Sequence, residues 1–248
     1  MREIQSLARG LKVLNILAET DGTVSTTSIA SELQIDKGSA SLLLRTLANY
    51  GFAEKDSQTR QYRMGSAVVQ LSRSLLTKMP LRETAKQFLL QLVQETGECA
   101  HLGVLFQGKV LYIDQVESPQ TLRVNAEVGV SAPLHCTALG KVLLAWHACD
   151  VPTGLHRFTD RTIVDAEVLR TELEKTRQQG YAVDDEEFTQ GVRCIAAPVI
   201  DFRGKVIGAL GISGPTARIT PDRLQEMAGM VSRVAVTLSD RMSFARQG

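Results

Sequence analysis

The first 65 residues place their hydrophobic side chains at the spacing of three short helices and a hairpin. Residues 4–19, 26–33 and 36–49 repeat apolar positions three and four residues apart, which puts those side chains on one face of a helix. A tight turn at Gln34 and Ile35 joins the second and third segments, as in a helix-turn-helix unit. Strand-like segments at 52–56 and 61–65 flank a polar turn and predict a β-hairpin. The order predicts a winged helix-turn-helix domain over residues 1–65.

The segment 36–49 is the candidate recognition helix. Asp36 is a candidate N-cap, because its carboxylate can accept from the free amides of the first turn. The opposite side of the helix is small and mostly uncharged, which suits a surface that enters the major groove of DNA. An ordinary surface helix pair in an enzyme stays open from this stretch alone. The predicted inner stripe is Ala40, Leu43, Leu44 and Leu47, and that of the first helix is Leu7, Leu11, Leu14, Leu17 and Ala18.

The rest of the chain predicts helices on an antiparallel sheet. Residues 66–78 read as a helix that connects the domains, and Pro80 starts another helix that continues to about Thr96. Beyond Cys99 the hydrophobic runs are split by hairpin signals at residues 107–108 and 203–204, with a further strand candidate at 122–129. Helices are predicted from near Thr137, over 165–179 and after Pro221. The expected class is α+β, with domains at 1–65 and 80–248 joined by a helical connector at 66–79.

The two parts of the chain differ in net charge. The formal net charge is +1, but residues 1–79 hold 10 Lys and Arg against 7 Asp and Glu, whereas residues 80–248 hold 18 against 20. The small basic excess therefore coincides with the helix-turn-helix pattern and favours a nucleic-acid partner there. No run of 18 apolar residues and no signal peptide is present, so we expect a cytoplasmic protein without a membrane partner.

Six motifs carry a resemblance to a known family. They are QSLARGLKVLNIL, the helix-turn-helix with its hairpin, PLHCTALGKVLLAW, GYAVDDEE, GVRCIAAPV and VIGALGISGP. Together they resemble the IclR family of transcriptional regulators over nearly the whole chain. The resemblance implies a C-terminal GAF-like domain that binds a small-molecule effector. It also implies homodimers or homotetramers (dimers of dimers) on palindromic double-stranded DNA operators. It implies neither a cofactor, a metal nor an enzymatic activity, and both repression and activation stay open.

The candidate DNA-binding residues lie on the second and third helices and on the hairpin. Leu42 is at the centre of the outward face, where it can pack on thymine methyl groups, whereas Lys37 is placed nearer to phosphate. Family members often carry Lys-Ser-Thr and a basic or aromatic pair where this chain has Lys37-Gly38-Ser39 and Ser41-Leu42. The complete set is Thr26, Thr27, Lys37, Ser39, Ser41, Leu42, Arg45, Arg60 and Arg63.

The candidate effector site is the start of the helix at Thr137. The amides of Ala138, Leu139 and Gly140 would be unpaired there and would attract an anion, most simply a ligand carboxylate. The resemblance adds Asp184, Cys194 and Ser213 as pocket residues, with Asp184 accepting from ligand hydroxyls. The expected effector set is Thr137, Ala138, Leu139, Gly140, Asp184, Cys194 and Ser213.

Three other functions are weighed against this one. His135-Cys136 with Asp184 could form a thiol enzyme. His101, His135, Cys136 and Cys194 could bind zinc, although their spacing fits no common zinc pattern. The exposed Leu42 and low charge are compatible with a small-molecule sensor that has lost operator binding. The leading interpretation is a ligand-responsive regulator of small-molecule metabolism whose effector is a carboxylic or sugar acid.

Overall fold

A computed structural model describes residues 3–147, 151–152 and 154–244. The chain divides into two compact units, Met1–Lys78 and Met79–Gly248. Among the described residues, no helix has both the length and the apolar character needed to cross a membrane.

The first unit consists of four helices and a two-stranded hairpin. Their bounds are α1 Gln5–Glu19, α2 Thr26–Glu32, α3 Lys37–Asn49, β1 Ala53–Lys55, β2 Tyr62–Met64 and α4 Ala67–Leu76. Side-chain caps define the two helix starts of the helix-turn-helix: Ser25 accepts from the Ser28 amide at 3.0 Å, and Asp36 accepts from the Ser39 amide at 2.9 Å. The predicted winged helix-turn-helix is confirmed.

The core of this unit corrects the stripe predicted for α1. Val13 and Leu17 are buried there, but Leu7 and Leu11 are 59% and 54% exposed, and Ala18 is also exposed. The small core against α3 and the hairpin covers only one side of the second half of α1. The N-terminal leucines therefore form a separate apolar face that the unit itself does not cover.

The second unit is a six-stranded antiparallel sheet with helices on both faces. The helices are α5 Pro80–Thr96, α6 Ala138–Trp146, α7 Ala166–Gln179 and α8 Pro221–Phe244. The strands are β3 Cys99–Phe106, β4 Lys109–Val116, β5 Ser131–Ala132, β6 Ala182–Asp185, β7 Val192–Ile200 and β8 Val206–Pro215. Their order is β5-β4-β3-β8-β7-β6, with every pair antiparallel. The expected α+β class is confirmed.

Alternation along the strands divides the apolar residues between two cores. On β3, Ala100 and Leu102 belong to the core beneath α5 and α8. The second core lies on the other face, where α6 and α7 cover residues such as Ala196 and Ala209. Cys99, His101 and Gly103 alternate with Ala100 and Leu102, so they face the α6 side.

The prediction of a strand at 122–129 is wrong. This segment is a loop, and the strand that pairs with β4 is the short β5. Its backbone forms isolated hydrogen bonds in place of a strand ladder: the Ala126 amide donates to Gln115 Oε1 at 3.3 Å, and the Gly129 amide donates to the Tyr112 carbonyl oxygen at 2.8 Å. Val124 and Ala126 instead line a cavity beside the sheet.

Candidate functional sites

Helix α3 presents the outward face expected of a recognition helix. Ala40 and Leu44 are buried and Leu43 and Leu47 are half-buried, as predicted. On the opposite side Lys37, Ser41, Leu42 and Arg45 are exposed, Leu42 by 55%. Thr27 at the start of α2 is also exposed, whereas Thr26 is half-buried.

Two candidate DNA-binding side chains are already engaged within the unit. The Ser39 hydroxyl donates to Asp36 Oδ2 at 2.6 Å, so its oxygen keeps only lone pairs for a base. The Ser39 side chain is also half-buried. Arg63 forms an ion pair with Glu54 at 3.0 Å. Both partners of that pair are exposed, and such surface pairs are weak, so a phosphate can compete for the guanidinium.

Hydrogen bonds from the backbone to one side chain shape the turn at the tip of the hairpin. Asp56 Oδ1 accepts from the amides of Gln58 and Thr59 at 2.9 and 2.7 Å. Arg60 follows in the left-handed region at φ 59° and is exposed. The turn therefore fixes the backbone that carries Arg60.

In the second unit, the start of α6 opens into a cavity of about 350 Å³. Thr137, Ala138 and Leu139 line this cavity together with Asp184, Cys194 and Ser213. The structure thus brings six of the seven expected effector residues to one cavity. A volume of this size suits a small organic molecule.

Gly140 is the exception, and its expected role is corrected. Its amide donates to the Thr137 hydroxyl at 3.1 Å, so it is capped rather than free. A Cβ at Gly140 would lie 2.4 Å from the Leu134 carbonyl oxygen; the glycine allows the helix start to pack against that backbone. The amides of Ala138 and Leu139 remain as the first-turn donors without an intrahelical partner.

Four strands contribute one row of side chains to this region of the sheet. The register places Cys99 beside Ser213, Ser213 beside Cys194, and Cys194 beside Asp184. The Ser213 hydroxyl donates to Cys194 Sγ at 3.2 Å. The last three of these line the cavity, which gives the apolar wall a polar strip.

Asp184 is the titratable group of this strip. Burial raises the pKa of Asp184 to about 7, and the nearby Glu187 carboxylate acts in the same direction. The amides of Glu187 and Phe188 donate to Asp184 Oδ1 at 2.8 and 3.4 Å and partly offset this effect. Near neutral pH the carboxyl can therefore accept from a ligand or donate to it.

A buried cation stands next to this site. Lys141 on α6 is only 1% exposed; its ammonium group contacts Glu187 and lies 3.6 Å from Glu172. Burial raises the pKa of Glu187, and the contact with Lys141 opposes the rise. A buried charge without a partner is strongly destabilising, so this pair fixes α6 against the loop after β6.

The cavity also contains residues that the sequence did not assign to it. His101 and Tyr112 from β3 and β4 are in its wall, with Asn125 from the loop and Phe188 after β6. Their ring or amide groups are ordinary for a folded core, so composition gave no signal. The available clue is a histidine inside an apolar strand, which the sequence places only in the candidate zinc site.

The structure does not support a thiol enzyme built from His135, Cys136 and Asp184. His135 Nε2 lies 2.9 Å from the His156 carbonyl oxygen. Burial raises the pKa of Cys136 to about 12 and that of Cys194 well above its ordinary value. A thiol that stays protonated is a poor nucleophile.

The zinc ligand set is not brought together either. Within the described ranges, no three His, Cys, Asp or Glu side chains are close enough to hold a metal ion.

Comparisons with known proteins agree with both halves of the structure. The model of the "IclR helix-turn-helix domain" matches residues 6–57, and that of "Bacterial transcriptional regulator IclR C-terminal" matches residues 73–240. HTH-type transcriptional regulator BhcR of Paracoccus denitrificans is 36% identical over 247 residues, which cover 97% of this chain and 88% of that protein. The acetate operon repressor of Salmonella typhimurium is 34% identical over 247 residues, with 96% and 90% covered.

A solved structure shares the architecture over its full length. The Thermotoga maritima IclR structure has a TM-score of 0.74 and 27% identity, covering 98% of this chain and 100% of that one. Two family models matched in chain order leave few residues unassigned. The chain belongs to the IclR family of ligand-responsive, DNA-binding transcriptional regulators.

Proposed function

We propose that this protein is a repressor that binds a palindromic operator as a homodimer or dimer of dimers. Its effector is a small carboxylic or sugar acid that binds at the start of α6 and changes operator affinity. The protein acts in the cytoplasm on DNA and catalyses no reaction. The observation that carries the proposal is that the start of α6, Asp184, Cys194 and Ser213 line the same cavity.

Operator recognition is proposed for the exposed face of α3. Ser41, Leu42 and Arg45 would contact base edges, and Lys37 a phosphate. Ser39, engaged by Asp36, would contribute through its lone pairs. Thr26, Thr27, Arg60 and Arg63 would bind the backbone on either side of the groove.

The double variant Leu42→Ala with Arg45→Ala tests this surface. Duplexes selected from a random library by the wild-type protein provide the operator. We expect binding to fall at least about 10-fold, the scale of one lost specific contact, with the effector response intact. Arg170→Ala, at an exposed arginine of the second unit that pairs with Glu167, is the control. Wild-type affinity in the double variant would exclude α3 as the recognition helix, whereas a wild-type protein that selects no duplex would favour the sensor that has lost operator binding.

Effector binding is proposed for the α6 start because the backbone amides there favour an anion. The free amides of Ala138 and Leu139 carry the positive end of the helix dipole. Asp184 would bond to a hydroxyl or oxo group of the same ligand. One relative is named for the acetate operon, and acetate is a small carboxylate of the class that we propose.

Asp184→Ala tests the pocket. A thermal-shift screen of small carboxylates against wild-type protein identifies a binding acid, and its affinity is then measured for the variant. We expect the ligand response to be lost while operator binding persists. Asp240→Ala, an exposed aspartate on α8, is the control. Unchanged ligand affinity in Asp184→Ala would remove Asp184 from the pocket.

Dimerisation is supported by the uncovered face of the first unit. Ile4 just before α1, Leu7 and Leu11 on α1, and Leu71 and Leu75 on α4 are exposed large hydrophobic side chains. Exposed apolar groups of this kind mark association sites when they cluster. A two-fold pair would present two recognition helices to the half-sites of a palindrome.

A further inference from the structure

His101 occupies the middle of the sheet, where the cavity meets β3. Its backbone pairs with Gln115 on β4 and with Gly211 on β8. The side chain is 1% exposed and forms part of the cavity wall. It is therefore shielded from bulk solvent but borders the space that a ligand in the cavity can occupy.

Both nitrogens of this buried ring lack a hydrogen-bond partner in the described part of the chain. A buried polar group that stays unpaired is destabilising, and buried polar groups are nearly always paired. Leucine would fill a similar volume without this cost. The histidine is thus poorly explained by packing, and well explained by a polar group that arrives with a ligand.

The ring is neutral, which defines the group that it can recognise. Burial lowers the pKa of His101 to about 4. A neutral imidazole offers one N–H donor and one lone-pair acceptor. A hydroxyl group can pair with either nitrogen, because it can accept from the N–H or donate to the lone pair, whereas a carboxylate can pair only with the N–H.

The surroundings hold the ring in place. Tyr112 contacts it edge-on, with ring centroids 5.8 Å apart and an interplanar angle of 76°. Beside His101, a Cβ at Gly211 would lie 2.4 Å from the Ile195 carbonyl oxygen, so a larger residue would require the strands to shift. The wall near His101 is therefore fixed, as a site that selects between similar ligands requires.

We propose that His101 is a specificity-determining residue of the cavity and selects effectors that carry a hydroxyl group as well as a carboxylate. This inference rests on the proposed function, because the carboxylate is assigned to the start of α6. It narrows the second functional group of the ligand from a hydroxyl or oxo group to a hydroxyl group. The effector class becomes a hydroxy acid.

Matched pairs of acids test this assignment by isothermal titration calorimetry. The probes are lactate with propionate, γ-hydroxybutyrate with butyrate, and mandelate with phenylacetate; the members of each pair differ by one hydroxyl oxygen. The proteins are wild type, His101→Leu and His101→Asn. For at least one pair, we expect wild type to favour the hydroxy acid about 10–100-fold, the equivalent of one well-placed hydrogen-bonding group.

The variants separate recognition from packing. His101→Leu should bind both members of that pair alike and melt at a higher temperature without ligand, because the unpaired nitrogens are gone. His101→Asn keeps a donor and an acceptor and should recover part of the preference. If His101→Leu does not fold, wild type and His101→Asn decide the question. A preference for the hydroxy acid that is smaller in His101→Asn than in wild type supports the role of His101, and an equal preference in both proteins contradicts it.

The outcomes distinguish this inference from the proposed function. Equal affinity for both members of every pair in wild type, or a preference that survives in His101→Leu, contradicts the role of His101 and leaves the carboxylate effector standing. Absence of binding by every acid in wild type contradicts the carboxylate effector itself, and the inference fails with it.

Discussion

The ionisation of Asp184 links the cavity to the stability of the protein. Its pKa of about 7 in the folded protein lies above the ordinary 3.8, so the folded state holds a proton that the unfolded chain releases between about pH 4 and about pH 7. The unfolded state then binds fewer protons, and the free energy of unfolding falls as the pH rises through that window.

Asp184→Asn should remove this part of the pH dependence. The amide oxygen can still accept from the amides of Glu187 and Phe188, so the loop geometry is kept. Urea unfolding between about pH 5 and about pH 8 should show a steeper fall for wild type than for the variant, by at most about 1.4 kcal/mol per pH unit.

Asp201→Asn serves as the control for that measurement. Backbone hydrogen bonds from Lys205 and Arg203 hold the pKa of Asp201 below its ordinary value, so its contribution is constant throughout the tested range. Parallel curves for wild type and Asp184→Asn would show that Asp184 is ionised in the folded protein and would contradict the raised pKa.

Single residues also mark the limit of the sequence interpretation. Asp184, Cys194 and Ser213 were predictable because the family resemblance names them, and the register explains why they are adjacent. The unpaired nitrogens of His101 and the ion pair of Lys141 with Glu187 are properties of burial. Burial is set by long-range strand pairing, which a local pattern does not contain.

Elements with strong local signals were predicted well. The range Pro80–Thr96 of α5 was predicted from Pro80 at its start and Gly97 after its end, and the structure gives these bounds. The failures have a different cause. Val124 and Ala126 of the segment 122–129 line a cavity, whereas Leu122 is exposed. The leucines at the start of α1 lie outside the core. In both cases the apolar pattern is present but its partner is not the expected one.

The start of α6 provides a prediction at the element scale. Gly140→Ala would normally stabilise a helix by up to about 1 kcal/mol. Here the added Cβ would lie 2.4 Å from the Leu134 carbonyl oxygen and 2.6 Å from Thr137 Oγ1. We expect destabilisation of about 1–3 kcal/mol, measured by urea unfolding, and weaker acid binding because the Thr137 cap must move.

Gly229→Ala is the matched control for that substitution. Gly229 lies within α8, and its added Cβ would meet only the Arg233 side chain at 3.5 Å. This variant should be as stable as wild type or slightly more stable. Equal stability of both alanine variants would mean that the α6 start adapts without strain, and close packing at Gly140 would not explain the glycine.

At the scale of the whole molecule, the pairing that we propose would compensate for the weak basic charge of the first unit. A single unit offers few cations, but two units on one operator bind with a high effective concentration, which raises avidity about 10²–10⁴-fold. The uncovered leucines of α1 are the surface that we propose for such pairing. The assembly and its DNA affinity should therefore depend on the same side chains.

The double variant Leu7→Glu with Leu11→Glu tests this dependence. Both side chains point away from the core of the unit, so the fold should persist while charge repels a second copy. We expect a smaller mass in size-exclusion chromatography with light scattering, and operator binding weakened about 100-fold or more. Phe202→Glu, an exposed apolar residue in the turn between β7 and β8, should change neither quantity. Unaltered mass with unaltered operator affinity would exclude α1 as the pairing surface, whereas weaker DNA binding at unaltered mass would show that the second units hold the assembly together and that α1 only aligns the recognition helices.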